Sequence, residues 1–450
     1  MKAQNRALEM KVPAAMTRRQ MHLIAYLKTG PTAQHTGGWR HPESTLDDIL
    51  EPSRYEYIAR LLESAKFDGC FFADLFGLYD IHEGSYDAYL RRGGQISFLD
   101  PTVVLPVMAA ATRHLGLGTT LSTSFHSAYH LARWLASLDV MSKGRVAWNV
   151  VTSATDLEAQ NAGLDELPPR ELRYDRADEV LEACFALWNG WEENAFVLDK
   201  KQGVLADPSK VHYANYQGRW IKTRGPLSIP RSPQGHPVIM QAGSSDRGRE
   251  FAARWAEVIF TIQRGKDEMA EFYTDIKTRM QARGRKPEEC AILPNVSVVL
   301  GETESIARER ADYLDSLIDP ELNRAATSSN LGADITKLKE GVTLAALQGN
   351  QGMQGSEDVL KQHMKAQGLT FAQVAENRGR KRELVGTPEM VADRLQEIFE
   401  SGACDGFVVS PVNHPGMFEQ FCRSVVPELQ RRGLFRKDYA GRTLRENLRG

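Results

Sequence analysis

The sequence predicts an α/β chain folded as a (β/α)8 TIM barrel with insertions. Three observations predict it. Short apolar runs of strand length alternate with helically periodic segments along most of the chain. The alternation amounts to about eight strand–helix repeats, the number a closed barrel needs. Several of the apolar runs carry hydroxyl, amide or carboxyl groups at their C-terminal tips, where a barrel presents its ligand site. At 450 residues the chain has material for one elaborated barrel or for two domains. A doubly wound sheet is the alternative. The even spacing, and a late strand–helix pair after a long interruption, favour the barrel.

In chain order, Met21 to Leu27 reads as the first strand, and Leu46 to Lys66 follows with Ile49, Tyr57, Ile58, Leu61 and Leu62 at helical spacing. Gly69 to Ala73 is the second strand, with Asp74 at its end. After a loop, Pro101 opens a helix over Thr102 to Arg113. Leu115 to Leu121 is the third strand, Tyr129 to Met141 a helix and Val146 to Val151 the fourth strand. Tyr174 to Trp191 is strongly periodic. Residues 192–236 break the rhythm with Pro208, Pro226, Pro230 and Pro233 and read as an insertion. Pro237 to Gln241, Val258 to Ile262 and Ala291 to Leu300 are the fifth to seventh strands, separated by helices over Arg247–Trp255 and Glu268–Ala282. Residues 302–385 are helical and polar, a second insertion expected to act as a lid. Gly386-Thr387-Pro388-Glu389 starts a helix: Thr387 caps, Pro388 fits the first turn, and Glu389 favours the positive end. Gly406 to Ser410 is the eighth strand and Met417 to Arg432 a helix. The expected organisation is a single domain over residues 1–450.

Charged residues at 25 %, hydrophobic residues at 42 % and a net charge of −2 describe an ordinary globular chain. They leave no footprint for nucleic acid or an anionic membrane. Apolar runs such as Thr102 to Ala111 are too short to span a bilayer. Met1 to Gln20 has no apolar core of a signal peptide, so the expected location is the cytoplasm. The 5 cysteines are widely spaced without C-x-x-C and read as buried thiols, and the 11 histidines show no metal-ligand spacing.

Candidate chemistry gathers at strand tips: Asp74, Thr119, Thr120, Asn149, Thr152, Ser153, Ser244 and Ser245. Gly243-Ser244-Ser245-Asp246-Arg247-Gly248 leads from strand into helix and suits a phosphate, or else is a helix cap closed on its own backbone. Arg170, Arg173, Tyr174 and Arg176 suit a phosphate and a ring, or else form a solvated helix start beside Asp175 and Asp178. His126 and His130, after the third strand, read as acid, base or substrate clamp, or else as ordinary half-buried histidines. Asp74 holds a ligand hydroxyl or ring nitrogen, or caps its own turn. G-x-G-x-x-G after a strand, G-x-x-x-x-G-K-[ST] and G-x-S-x-G are all absent. Rossmann dinucleotide binding, P-loop chemistry and α/β-hydrolase catalysis lose support, and a cofactor with one phosphate fits better than one with two.

Longer patterns carry a resemblance. Leu138-Asp139…Ser142-x-Gly144-Arg145-Val146-x-Trp148-Asn149-Val150-Val151-Thr152-Ser153 is followed by Glu158-Ala159-x-Asn161-x-Gly163 and Arg173-Tyr174-Asp175-Arg176-Ala177-Asp178-Glu179. Val211-His212-Tyr213, Arg224-Gly225-Pro226-Leu227, Pro233-Gln234-Gly235-x-Pro237-Val238 and Gln241-Ala242-Gly243-x-Ser245 complete the set. Together they resemble the bacterial-luciferase-like flavin monooxygenases, in the branch of nitrilotriacetate, EDTA and dibenzothiophene-sulfone monooxygenases, from about residue 20 to about residue 445.

The resemblance implies a two-component enzyme. FMN, as FMNH2 made by a separate NADH:FMN oxidoreductase, and O2 would oxygenate a small organic sulfur or nitrogen compound, with C–S or C–N cleavage. By motif position Asp74, Thr120, Tyr174 and one of Ser244 and Ser245 fall on FMN-binding positions. Asn149 and Thr120 resemble the pair that frames the flavin edge where oxygen reacts. Relatives carry histidine four residues before the tyrosine. This chain has Arg170, which either replaces that contact at the phosphate or turns to solvent. A homodimer or homotetramer is expected. The alternatives are a deazaflavin-dependent hydride-transfer enzyme on the same barrel and a flavin-binding barrel without catalysis. Phe76, Tyr79, Phe125 and Trp39 are candidate aromatic walls for the substrate, and Arg91, Arg92 and Arg264 candidate anchors.

Overall fold

In the computed structural model, which describes residues 19–32, 34–263, 265–337 and 384–450, eight parallel strands close on themselves. They are β1 (His22–Leu27), β2 (Gly69–Phe72), β3 (Gly116–Ser122), β4 (Val146–Val151), β5 (Val238–Gln241), β6 (Val258–Thr261), β7 (Ala291–Val296) and β8 (Gly406–Val409). β8 pairs with both β7 and β1, which completes the ring. Alternate side chains fill its interior, among them Ile24, Tyr26, Phe71, Ala147, Val238, Met240, Val258, Phe260, Leu293 and Val408. The other set faces the helices and forms the larger core, with Trp148, Leu117, Phe72 and Phe407 fully buried. Burying one such side chain is worth about 2 kcal/mol, so this double alternation holds the barrel closed.

The enclosing helices are α1 (Pro52–Ser64), α2 (Pro101–Ala111), α3 (Ala128–Met141), α4 (Arg170–Trp188), α5 (Asp246–Trp255) and α6 (Lys266–Ala282). α7 (Glu304–Ser316) and α8 (Pro320–Leu331) follow β7, then come α9 (Pro388–Glu400) and α10, which begins at Gly416. Local sequence sets their starts. Asp100 accepts from the Thr102 N–H and Ser127 from the His130 N–H, while Thr387 caps α9 with Pro388 in its first turn, as the sequence predicts.

The structure moves several boundaries. α1 starts at Pro52 rather than Leu46, because proline is tolerated in the first turn but not inside a helix. α4 starts four residues earlier than the apolar periodicity predicts, which places Arg170 one turn before Tyr174. The predicted seventh strand divides: β7 ends at Val296, and Val298–Leu300 leaves the barrel to pair with Leu384–Gly386. All of this run except Asn295 and Ser297 is apolar, and both pieces are buried, so composition does not reveal the break. α10 passes through a π turn at Phe421–Val425 before continuing to Arg431.

The N-terminal face of the barrel is a structural floor. Arg145, buried, donates to Ser142, Thr112, Leu115 and Ala109 and ties three segments together. Asp139 accepts from the Val146 N–H, the Ser232 hydroxyl and the Gln234 amide. Gly144, at φ 83°, closes the α3–β4 turn with its N–H on the Asp139 carbonyl. Leu444, from the short helix Leu444–Arg449, joins the interior cluster and plugs the barrel from below, and Arg445 is paired with Glu257. Half of the long pattern around Trp148 therefore serves the fold. Residues 192–236 run along the helix side and the floor as two small hairpins, Phe196–Asp199 with Val204–Ala206 and Tyr216–Gln217 with Lys222–Thr223.

On the opposite, C-terminal face α8 packs Leu322, Ala325 and Ala326 against Tyr89 and Ile96 of the β2–α2 excursion. The remainder of the expected lid, 338–383, lies outside the described residues. Among the described residues no helix is long and apolar enough to cross a membrane, and no group of acidic, histidine or cysteine side chains is arranged to hold a metal. All five cysteines are buried free thiols.

Candidate active site

Thr120 and Asn149 sit side by side on β3 and β4, in register, with their side chains in the barrel. The Thr120 hydroxyl donates to the Phe72 carbonyl at 2.7 Å and accepts from Asn149 Nδ2 at 2.8 Å. Both residues are buried. The chain of donors fixes the Asn149 amide, and its Oδ1 and second N–H make no other hydrogen bond among the described residues. Thr119, named with them from sequence, is corrected. It lies in register with Trp148, whose indole packs on Trp188 of α4, so it faces the helices. Strand alternation separates neighbouring threonines to opposite faces.

Beyond β4 the backbone turns sharply. Ser153 stands at φ 62°, a costly conformation for a serine, and its hydroxyl donates to Glu158 and shares a hydrogen bond with the Ser122 hydroxyl, each at 2.9 Å. Glu158 and Thr155 form a reciprocal cap on the helix Asp156–Asn161. Asp74, after β2, accepts from the Leu75 N–H, and burial raises its carboxyl above the usual range against the pull of Ser97 and Lys28. Lys28, directly after β1, is 9 % exposed, and burial lowers its ammonium to about 8.

A second group forms where α4 meets the start of α5. Arg170 and Tyr174 lie one turn apart, and Arg173 reaches from the same turns to the Thr152 and Ser153 carbonyls, binding this group to the tip of β4. A Cβ on Gly243 would stand 2.3 Å from Gln241 Nε2 and 2.9 Å from the Tyr174 hydroxyl, and one on Gly248 also 2.9 Å from that hydroxyl. Only glycines leave this cradle open beneath the tyrosine. Ser245 caps α5 by accepting from the Gly248 N–H, so the capping alternative is realised for it. Ser244 precedes the cap in the same glycine-flanked turn. Arg247 stacks on Tyr174 and is committed to Asp175 and Asp178. Gln241 Oε1 is buried without a hydrogen-bond partner. An open glycine cradle at the N-terminus of α5, beneath the Tyr174 hydroxyl, fits the phosphate end of FMN, while Gln241 Oε1, an acceptor, suits a donor such as a ribityl hydroxyl.

On the rim, His126 is half-buried between Phe76 and Trp134, and burial lowers its pKa. His130 is exposed, with Nδ1 3.1 Å from Ser127. Phe76 and Phe125 stack at 6.3 Å, while Tyr79 packs on Tyr89 at 4.9 Å. Trp39 donates to the Arg92 carbonyl, Arg91 is exposed, and Arg92 is paired with Glu321 and Asp319. Arg92 is thereby corrected as an anchor: its charge is already used by α8. Arg264 lies outside the described residues.

Sequence reasoning missed Lys28, Ser122, Glu158 and Gln241. Lys28 and Gln241 stand at strand tips and meet the criterion applied to the others. Glu158 was readable from Thr155-x-x-Glu158 as a capping box.

The luciferase-like monooxygenase family model matches residues 31–405. Dibenzothiophene-sulfone monooxygenase of Rhodococcus erythropolis (strain XP) is 43 % identical over 440 residues, covering 96 % of each chain. Nitrilotriacetate monooxygenase component A of Aminobacter aminovorans is 38 % identical over 425 residues, 92 % of this chain and 93 % of the relative. The crystal structure of a riboflavin lyase with modified FMN and its substrate riboflavin superimposes with a TM-score of 0.88 at 32 % identity, over 96 % of each chain. A closed barrel with its polar strand tips gathered on one face, matched over nearly its whole length by such relatives, belongs to the luciferase-like monooxygenase family.

Proposed function

We propose that this chain is the oxygenase of a two-component system. It uses FMNH2 from a separate NADH-dependent reductase, together with O2, to oxygenate a small sulfur- or nitrogen-containing organic compound with C–S or C–N cleavage. The observation that carries this reading is the locked Thr120–Asn149 pair at the mouth of the barrel, on the same rim as the glycine cradle at Gly243–Ser245.

Reduced FMN, when bound, supplies the electrons that activate dioxygen. The protein's own part is binding, orientation and exclusion of water. The turn at Ser244 and Ser245 with Tyr174 and Arg170 holds the phosphate, and Asp74 serves the ring or ribityl end. Asn149, oriented through Thr120 and the Phe72 carbonyl, offers a fixed donor to charge developing in the mouth, an effect worth about 3 kcal/mol per donor in a dry site. His126, neutral at physiological pH because burial lowers its pKa, can accept or return a proton, and His130 can orient substrate at the rim.

The test is oxygen uptake by purified protein with FMN, NADH and a flavin reductase. Dibenzothiophene sulfone and nitrilotriacetate, the compounds named for the two relatives, are the first substrates to try. Uptake above the reductase background that depends on one of these or a related compound is expected. Failure to bind FMN in either redox state overturns the reading.

A further inference from the structure

Lys28 is a cation at a strand tip that the proposed chemistry leaves unused. It follows Leu27 at the tip of β1, is 9 % exposed, and has Asp74 and Glu158 as its charged neighbours. Neither carboxylate lies within ion-pair distance among the described residues, and both are engaged elsewhere. Glu158 accepts from Ser153, Ala154 and both the N–H and hydroxyl of Thr155, at 2.9–3.3 Å, and Asp74 accepts from the Leu75 N–H at 2.9 Å. The Lys28 ammonium itself makes no hydrogen bond among the described residues. Its countercharge is supplied at a distance, and Nζ, which is not sealed from solvent, has its three donors free for a ligand in place of water.

The position of that ligand follows from the strand order. In a ring of eight, β1 stands opposite β5, whose following turn forms the phosphate cradle. Lys28 is therefore at the far side of the mouth from the phosphate. With burial lowering it only to about 8, it remains largely charged at neutral pH.

We propose that Lys28 is a specificity residue that donates hydrogen bonds to an oxygen-bearing group of the substrate (sulfonyl, sulfinate or carboxylate) and so disfavours bare thioethers and hydrocarbons. This rests on the reading of the mouth as a flavin and substrate site.

The test uses FMN-loaded full-length protein and ligands paired with and without the oxygen-bearing group: dibenzothiophene sulfone against dibenzothiophene, methyl phenyl sulfone against thioanisole, and, for a charged group, benzoate against toluene. Calorimetric titration is expected to show the oxygen-bearing member of at least one pair bound tenfold or more tightly. Lys28→Met should erase that preference, and Lys28→Arg should restore part of it. Affinity for FMN and, anaerobically, for FMNH2 should change less than threefold in both variants. Absence of a preference in every pair, or its survival in Lys28→Met, overturns the inference. A parallel loss of FMNH2 affinity in Lys28→Met also overturns it, assigning the ammonium to the cofactor. Failure of the unaltered protein to bind FMN at all is the separate result that removes the underlying reading.

Discussion

Asn149 owes its orientation to the residue beneath it. An amide in a buried strand could rotate, but Thr120 passes the polarity of the Phe72 carbonyl up to it and leaves one orientation. Asn149→Ala is expected to lower substrate-coupled oxygen uptake about 100-fold while changing FMN affinity less than threefold, as read by flavin fluorescence titration. Full retention of coupling would remove Asn149 from the mechanism. At the floor, Asp139 is a different case. Burial pushes its carboxyl up to about 6 against the pull of its three hydrogen-bond donors. A carboxyl whose folded value is raised binds its proton more tightly in the native state. Native stability therefore falls as pH rises from about 4 to about 6, by on the order of 3 kcal/mol from this group. Asp139→Asn keeps an acceptor for Val146 and Gln234 and lacks the charge. Thermal melts across that window should show the variant gaining on the parent protein as pH rises, and a constant difference would contradict the assignment.

At the scale of elements, the helix pair α4 and α5 makes the cradle. Starting α4 at Arg170 puts Arg170 and Tyr174 one turn apart, and two glycines on the β5–α5 segment clear room under the tyrosine hydroxyl. Gly243→Ala would press on Gln241, Tyr174 and the Gly248 backbone together. The expected result is at least tenfold weaker FMN binding by fluorescence titration, with a melting temperature within a few degrees of the parent, because α5 keeps its Ser245 cap. Unchanged FMN affinity would place the phosphate elsewhere. The same element logic explains why Ser245 reads doubly in sequence. Its hydroxyl holds the Gly248 N–H while the free N–H groups of the turn remain available to an anion.

For the whole molecule, the barrel gathers the candidate site residues at its C-terminal rim and the buried cohesive network at its floor. Leu444 closes the floor from the last helix, so Leu444→Ala should cost about 2–5 kcal/mol in chemical denaturation while leaving FMN affinity unchanged, since the plug is remote from the rim. Loss of FMN binding in a still-folded variant would show that floor and rim are coupled. Much of this architecture was legible in the chain. Val146–Val151 had the boundaries read from it, Thr387-Pro388 announced α9, and Asn149 was conspicuous because an amide in an apolar strand needs a partner. Such features follow from local rules of propensity, capping and period. What sequence left open depends on which groups meet across long separations. The Ala291–Leu300 run stayed apolar through its break because each half is buried against different neighbours. Thr119 and Thr120 are chemically alike, and only the closed sheet decides that one faces helices and the other the mouth. Arg92 looked available until α8 brought Glu321 beside it, and Lys28, not singled out from sequence, stands out only because its charged neighbours Asp74 and Glu158 make their hydrogen bonds elsewhere. The chain itself determined the barrel, its strand tips and its family pattern, because periodicity and turn chemistry are encoded within a few residues. Which polar groups are satisfied and which await a ligand was decided by tertiary structure, because hydrogen-bond satisfaction is a property of neighbours in space.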